Sequence, residues 1–155
     1  MGSKFDCIFL DRDGTINIDP GYISDVEDLK FYDYTFKALR LLNSLTKFFI
    51  IITNQSGVSR GIIQKEKLLE INSFVHKKFL ENKLDLLKIY YCTDLPESAS
   101  KFRKPGVGMF LQASNEYNID LKKCIMIGDS YKDIAPANKL GMRSLFVLTG
   151  KGKEE

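Results

Sequence analysis

The chain has 155 residues, of which 44% are hydrophobic and 28% charged, with a formal net charge of +3. That is enough for one compact domain with its own core, so a single domain over 1–155 is expected. The balance excludes the basic excess of a dedicated nucleic-acid binder and the run of about 20 apolar residues that spans a membrane. Three cysteines, inside or beside apolar runs, exclude a disulfide framework and fit reduced thiols in a cytoplasmic protein.

In chain order, the first apolar run, FDCIFL, ends in Asp11-Arg12-Asp13-Gly14-Thr15. Two carboxylates one residue apart repel each other and have no use in a core strand. A long connection follows, from about Asp13 to Asp33. The spacing of Phe36, Leu39, Leu42 and Leu45 then predicts a helix over about 34–45. The second run, FFIII, ends in Thr53-Asn54-Gln55-Ser56-Gly57, and Leu68, Ile71, Val75 and Phe79 predict a helix over about 64–80. The third run, LLKIYY, leads through Cys92 into a second long connection, about 93–108, that carries Arg103-Lys104-Pro105. A helix is predicted over about 109–117. The fourth run, CIMI, ends in Gly128-Asp129-Ser130, and a helix over about 134–140 stops at Gly141. The fifth run is SLFVL, and the tail KGKEE reads as frayed.

Five short, nearly continuous apolar runs read as strands buried on both faces of a parallel sheet. Alternating with helices, they predict an α/β fold: a Rossmann-like three-layer sandwich around a five-stranded, mostly parallel sheet. Neither long connection can hold a large cap domain, so the site is expected to be open.

The polar clusters all fall at carboxyl ends of strands, where open α/β sheets bind ligands. Their residue types define a reaction. One carboxylate, Asp11, can attack phosphorus and form an aspartyl-phosphate. A second, Asp13, can protonate the leaving oxygen and then take a proton from the attacking water. A carboxylate about 4 Å from one phosphate charge costs on the order of 4 kcal/mol at an effective dielectric near 20. A divalent cation on Asp11, Asp129 and the Asp13 carbonyl offsets this, and hard oxygen donors favour Mg²⁺. Lys104 supplies a compact positive charge, and the Thr53 hydroxyl can hold a phosphoryl oxygen. Taken singly, each cluster is an ordinary turn or cap; their order along the chain makes the joint reading the stronger one.

The set resembles the haloacid dehalogenase (HAD) superfamily of phosphotransferases across nearly the whole chain: DRDGT matches its first motif, Thr53 its second, Lys104 its third and GDSYKD its fourth. FLDRDGTIN, DPGYI, ITNQSGVSRG, RKPGVGM and IGDSYKDI are closer still to its D-glycero-D-manno-heptose 1,7-bisphosphate 7-phosphatase branch. The resemblance implies Asp11 as nucleophile, Asp13 as general acid/base, Mg²⁺ on Asp11, Asp13 and Asp129, and phosphoryl stabilisation by Thr53, Arg103 and Lys104. It implies substrate contacts from Asp19, Pro20, Gly21 and Tyr22, from Asn54, Gln55 and Ser56, and from Ser130. The partner is then a small phosphorylated sugar, met by a cytoplasmic monomer with no membrane or nucleic-acid role. That branch carries a zinc in the loop before RKP, on a Cys-x-His and a Cys-x-Cys pair. Here those positions read Cys92-Thr93-Asp94 and Ser100-Lys101-Phe102, so no zinc is expected, and the Phe102 ring is expected to anchor the loop by burial.

Three alternatives remain. Histidinol-phosphate phosphatases share TNQ and RKP but fit SGVSRG less well. Nucleic-acid 3′-phosphate phosphatases share the same motifs and need a basic, aromatic groove. A receiver-type phosphoacceptor module combines the same residue types but places its acceptor after the third strand, which TNQ and GDSYKD do not match.

Overall fold

A computed structural model describes residues 2–155. Strands and helices alternate: β1 (Cys7–Leu10), α1 (Thr35–Asn43), β2 (Phe49–Asn54), α2 (Lys65–Glu81), β3 (Leu86–Cys92), α3 (Gly108–Tyr117), β4 (Cys124–Gly128), α4 (Tyr131–Lys139) and β5 (Arg143–Phe146). The strands form one parallel sheet in the order β3-β2-β1-β4-β5.

Successive strand residues point to opposite faces, and here both faces are covered. Ile8 and Leu10 of β1, with Phe49 and Ile51 of β2, join one core against Leu39 of α1 and Ile71, Val75 and Phe79 of α2. Cys7 and Phe9, with Ile50 and Ile52, join the other core against Met109, Phe110 and Ala113 of α3 and Ala137 of α4. This is the three-layer sandwich, and it explains why the runs are apolar throughout rather than alternating.

Four sequence expectations are revised. β5 is an edge strand: Leu145 and Phe146 are exposed, because only one neighbour and α4 cover it. Leu45 lies beyond α1 and is exposed, while Leu39 carries that helix's burial. α4 begins at Tyr131, three residues before the predicted start, because Ser130 and Asp133 form a capping box that satisfies the orphan N–H groups of the first turn. Pro136 therefore sits in the second turn of α4, where its missing N–H removes one helical hydrogen bond.

The tail is not frayed. Tyr131 N–H donates to Glu155 Oε2 at 2.6 Å and Ser130 Oγ to Glu155 Oε1 at 3.2 Å, so an acidic side chain covers the positive end of α4. The Thr149 hydroxyl donates to the Gly14 carbonyl at 2.7 Å.

Because β1 lies between β2 and β4, the ends of these three strands meet at the point where strand order reverses. Leu10 pairs with Ile51 and with Ile127, so Asp11 follows β1 beside the end of β2, which carries Thr53, and the end of β4, which Asp129 follows. Ile51 is fully buried in β2, and Ile51→Ala is expected to lower stability by about 2–5 kcal/mol. The measurement is the urea midpoint, with an unchanged slope showing that the folded and unfolded states are otherwise the same.

Candidate active site

Asp11, Asp129 and Asp133 each offer a carboxylate oxygen within 4.8 Å of the others. All three are buried, and Lys104, 2% exposed, lies among them. Its ammonium donates to Asp11 Oδ1 at 2.8 Å, to the Ile52 carbonyl at 2.8 Å and to Asp133 Oδ1 at 2.5 Å. Three donors meet three acceptors, which leaves the ammonium fully satisfied. Burial by itself would lower the Lys104 pKa, but the two carboxylates outweigh it and hold the group charged. The Thr15 hydroxyl bridges Asp129 Oδ1 at 3.1 Å and Asp11 Oδ2 at 3.3 Å.

One ammonium does not neutralise three carboxylates. Burial, then the neighbouring Asp11, push the Asp129 carboxyl up to about 7. The same two causes push Asp133 up to about 6, against the opposing pull of Lys104. Crowded hard oxygen donors whose proton affinity is raised for want of positive charge fit a small divalent cation such as Mg²⁺.

Asp133, the last acid of GDSYKD, was not among the predicted site residues, and it joins this cluster. Asp13 does not join it through its carboxylate. Arg12, fully buried, donates from Nε to Asp13 Oδ1 at 2.8 Å and from Nη2 to Oδ2 at 3.0 Å. Asn17 Nδ2 donates to Oδ1 and Gln55 Nε2 to Oδ2, each at 2.9 Å. Burial acts to raise the Asp13 pKa, but the Arg12 charge and these hydrogen bonds prevail and lower it. A carboxylate so committed leaves its main-chain carbonyl as the ligand Asp13 can offer.

Other predicted residues are placed near the centre with different duties. Gln55 Nε2 also donates to Thr53 Oγ1 at 3.0 Å, so it orients the acid and the hydroxyl together. Asn54 clamps the Lys104 peptide: its Nδ2 donates to the Lys104 carbonyl and its Oδ1 accepts from the Lys104 N–H, both at 3.0 Å. Ser130 is spent capping α4, and Ser56 Oγ accepts from Arg60. Asp19 Oδ1 accepts from Gly21 N–H at 2.9 Å in a tight turn. Asp19, Gly21 and Tyr22 line the cavity, as do Asn54, Gln55, Ser56, Arg103 and Ser130; Pro20 does not.

The loop expected to be anchored by Phe102 is held otherwise. That ring is 37% exposed, over Gly108. Asp94 Oδ2 instead accepts from the N–H and hydroxyl of Ser100. Two of the positions where zinc would need donors are thus committed to each other. Burial, with the Asp94 side chain beside it, raises the Cys92 thiol above its ordinary pKa, which disfavours the thiolate zinc takes. The donor set does not fit that metal.

Several site residues lay outside the predicted set. Thr15 and Arg12 sit within the first motif, where their neighbours absorbed the chemistry. Lys151 donates its N–H to Asp129 Oδ2 at 2.9 Å. Gly14 and Gly150, at φ +87° and +54°, pack so closely on Asp129 that a side chain at either would strike its carboxylate. Arg60, Arg103, Lys132 and Lys151 line the mouth of a cavity of about 360 Å³. Partial burial and the charges of Arg103 and Lys151 lower the Lys132 pKa, a sign that these cations crowd one another.

Comparisons with known proteins place the chain among relatives. A HAD-hydrolase-like family model matches residues 101–155. The D-glycero-beta-D-manno-heptose-1,7-bisphosphate 7-phosphatase of Photorhabdus laumondii is 38% identical over 97% of this chain and 85% of that protein. The D-glycero-alpha-D-manno-heptose-1,7-bisphosphate 7-phosphatase of Campylobacter jejuni is 34% identical over 97% of this chain and 87% of its own length. Among solved structures, the D,D-heptose 1,7-bisphosphate phosphatase of B. bronchiseptica, complexed with magnesium and phosphate, superposes with a TM-score of 0.88 at 28% identity, covering 96% of this chain and 84% of that one.

The acidic cluster has a pH signature. In the unfolded chain both carboxyls titrate near 4, so between about pH 4 and pH 7 the folded state binds more protons than the unfolded state. Without metal, Asp129 and Asp133 therefore favour folding as pH falls through that window and oppose it as pH rises. A divalent cation needs the ionised forms and reverses the trend. Magnesium chloride is expected to raise Tm clearly more at about pH 8 than at about pH 5.5. Equal shifts at the two pH values would contradict the cluster's role.

Proposed function

The chain belongs to the HAD-like hydrolase family, and on that premise we propose that it is a Mg²⁺-dependent phosphatase of a small sugar bisphosphate, D-glycero-D-manno-heptose 1,7-bisphosphate, cleaved at the 7-position. The observation that carries the reading is the pairing of two charged regions in one cavity: the Asp11–Lys104–Asp129–Asp133 centre, and the crowded cations Arg103, Lys132 and Lys151 at its mouth. A substrate with two phosphates presents one to each. Histidinol phosphate would bring its ammonium to the cationic mouth. A nucleic-acid end needs a free basic face, and on α2 two of the four lysines are paired, Lys67 with Asp25 and Glu70 and Lys78 with Glu81. The curated relatives reported above carry the heptose bisphosphate name, and the chain spans most of their length.

Asp11 is the nucleophile. One of its oxygens attacks phosphorus, the bond from phosphorus to the C7 oxygen breaks, and an aspartyl-phosphate forms. Mg²⁺, held by Asp11, Asp129, the Asp13 carbonyl and Asp133 directly or through water, would offset the repulsion between carboxylate and phosphate. Lys104 holds and aims Asp11, and the Thr53 hydroxyl, oriented by Gln55, faces the cavity to hold a phosphoryl oxygen. Asp13 gives its proton to the leaving alkoxide and later takes one from the water that hydrolyses the acyl-phosphate. Arg12 holds Asp13 as the carboxylate that the second step needs, so proton delivery in the first step requires the Asp13 side chain to leave the guanidinium. The whole of 1–155 acts as one domain, and we take it to work as a cytoplasmic monomer.

Phosphate release from the α and β anomers of heptose bisphosphate, from histidinol phosphate and from a 3′-phosphorylated oligonucleotide, with and without Mg²⁺, tests the substrate. Preference for either heptose anomer is expected, and preference for the oligonucleotide would refute the sugar reading. Asp11→Asn is expected to lower kcat by on the order of 10⁴-fold with its Tm response to phosphate retained.

A further inference from the structure

We propose that Asp94 is a positioning residue: clasping Ser100, it closes the loop after β3 and so fixes Arg103 for the anion of the substrate. The proposal rests on the phosphatase reading of the cavity only in taking Arg103 as a substrate contact.

The loop leaves β3 at Cys92 and returns to the centre at Lys104. Two neighbouring residues at its return have different anchors. Lys104 is held by the Asn54 side chain, at the end of β2. Arg103 is held by the loop's own first turn, its Nη1 donating to the Asp94 carbonyl at 3.0 Å. That carbonyl is only as fixed as the turn that carries it. The Asp94 side chain fixes the turn, accepting from Ser100 N–H at 2.8 Å and from the Ser100 hydroxyl at 2.5 Å. The Ser100 hydroxyl oxygen accepts in turn from Phe102 N–H at 3.2 Å, and Arg103 N–H donates to the Ser100 carbonyl at 3.2 Å. The chain from carboxylate to guanidinium is therefore continuous: Asp94 to Ser100, Ser100 to the backbone of Phe102 and Arg103, and the Arg103 head back to Asp94.

This arrangement does what a bound metal would do for a loop of this kind. It ties the ends together with charge-assisted hydrogen bonds, which are shorter and stronger than neutral ones. It leaves the reacting groups untouched, because Lys104 and Asp11 have their own partners. Loss of the clasp frees Arg103 without moving the nucleophile, so it weakens substrate binding more than turnover.

The experiment is a mutant cycle on the best substrate of the phosphate-release panel. Asp94→Ala deletes the carboxylate and keeps the carbonyl that Arg103 uses, so any effect runs through loop closure. It is expected to raise KM by about 5-fold or more while kcat stays within about 2-fold. Asp94→Asn, which retains an acceptor for Ser100, is expected to recover most of the loss. Ser100→Ala, a milder lesion of the same clasp, is expected to move KM in the same direction. Joined to Arg103→Ala, Asp94→Ala is expected to add little, because both remove one interaction. An unchanged KM in Asp94→Ala, a fall in kcat alone, or KM effects of Asp94→Ala and Arg103→Ala that multiply would each overturn the proposal. Because the cycle compares variants on whichever ester is turned over, its failure is distinct from a failure of the heptose assignment, which the panel with the unaltered chain reads.

Discussion

A lysine ammonium with three donors lies buried among three acceptors, and much of the site is built around its charge. Lys104 touches Asp11, Asp133 and the Ile52 carbonyl, and the third carboxylate, Asp129, lies within reach of the first two. Three ionised carboxylates less one ammonium leave two negative charges, which is the charge of one divalent cation. Without that cation the excess is relieved by protons, and Asp129 and Asp133 are the groups whose affinity for them rises. Removing one partner from such a buried set leaves the others uncompensated, at a cost of about 3–5 kcal/mol. The fold accepts this liability at the point where three strands end together, and at no comparable place in the two apolar cores.

Long-range contacts hold the acidic centre as firmly as local ones do. Gly14 and Gly150 approach Asp129 with backbone alone, and the Lys151 N–H fixes one carboxylate oxygen while Thr15 fixes the other. Glu155 then covers the N-terminus of α4, the helix that supplies Asp133. The last turn of the chain is thus part of the site's support. Asp13 is tied to Arg12, Asn17 and Gln55 and so stands apart from the three clustered carboxylates in both contacts and proton affinity.

What the sequence made legible follows from where the information lies. The strands were readable because β1 and β2 are covered on both faces, which forces every residue of Cys7–Leu10 and of 49–53 to be buried. The α2 face was readable because Leu68, Ile71, Val75 and Phe79 repeat at helical spacing and all are fully buried. Asp11, Thr53, Lys104 and Asp129 were readable as a set because the parallel topology brings successive carboxyl ends together. The duties of Asn54 and Ser130 were not. A polar residue at a strand end looks like a ligand, and nothing local reveals that Asn54 is spent on a peptide fifty positions away. The support from Lys151 had no signal at all, since it comes from a backbone N–H that any residue but proline would supply. The tail's composition reads as solvated, and four of its last five residues are exposed; one glutamate reaching a helix end is enough to order it.

An open site without a cap places recognition and chemistry on the same loops. Arg103 and Lys104 are adjacent, so a change that re-aims the first threatens to move the second away from Asp11. Separate anchors remove that conflict. Asn54 ties the Lys104 peptide to β2 through both its N–H and its carbonyl, while the Asp94 turn holds the Arg103 head. Residues joined by one peptide are thus held by different elements of the fold. A loop that exchanges one closure for another, a metal for a carboxylate–hydroxyl clasp, can then alter what the cavity binds while the ammonium stays on Asp11.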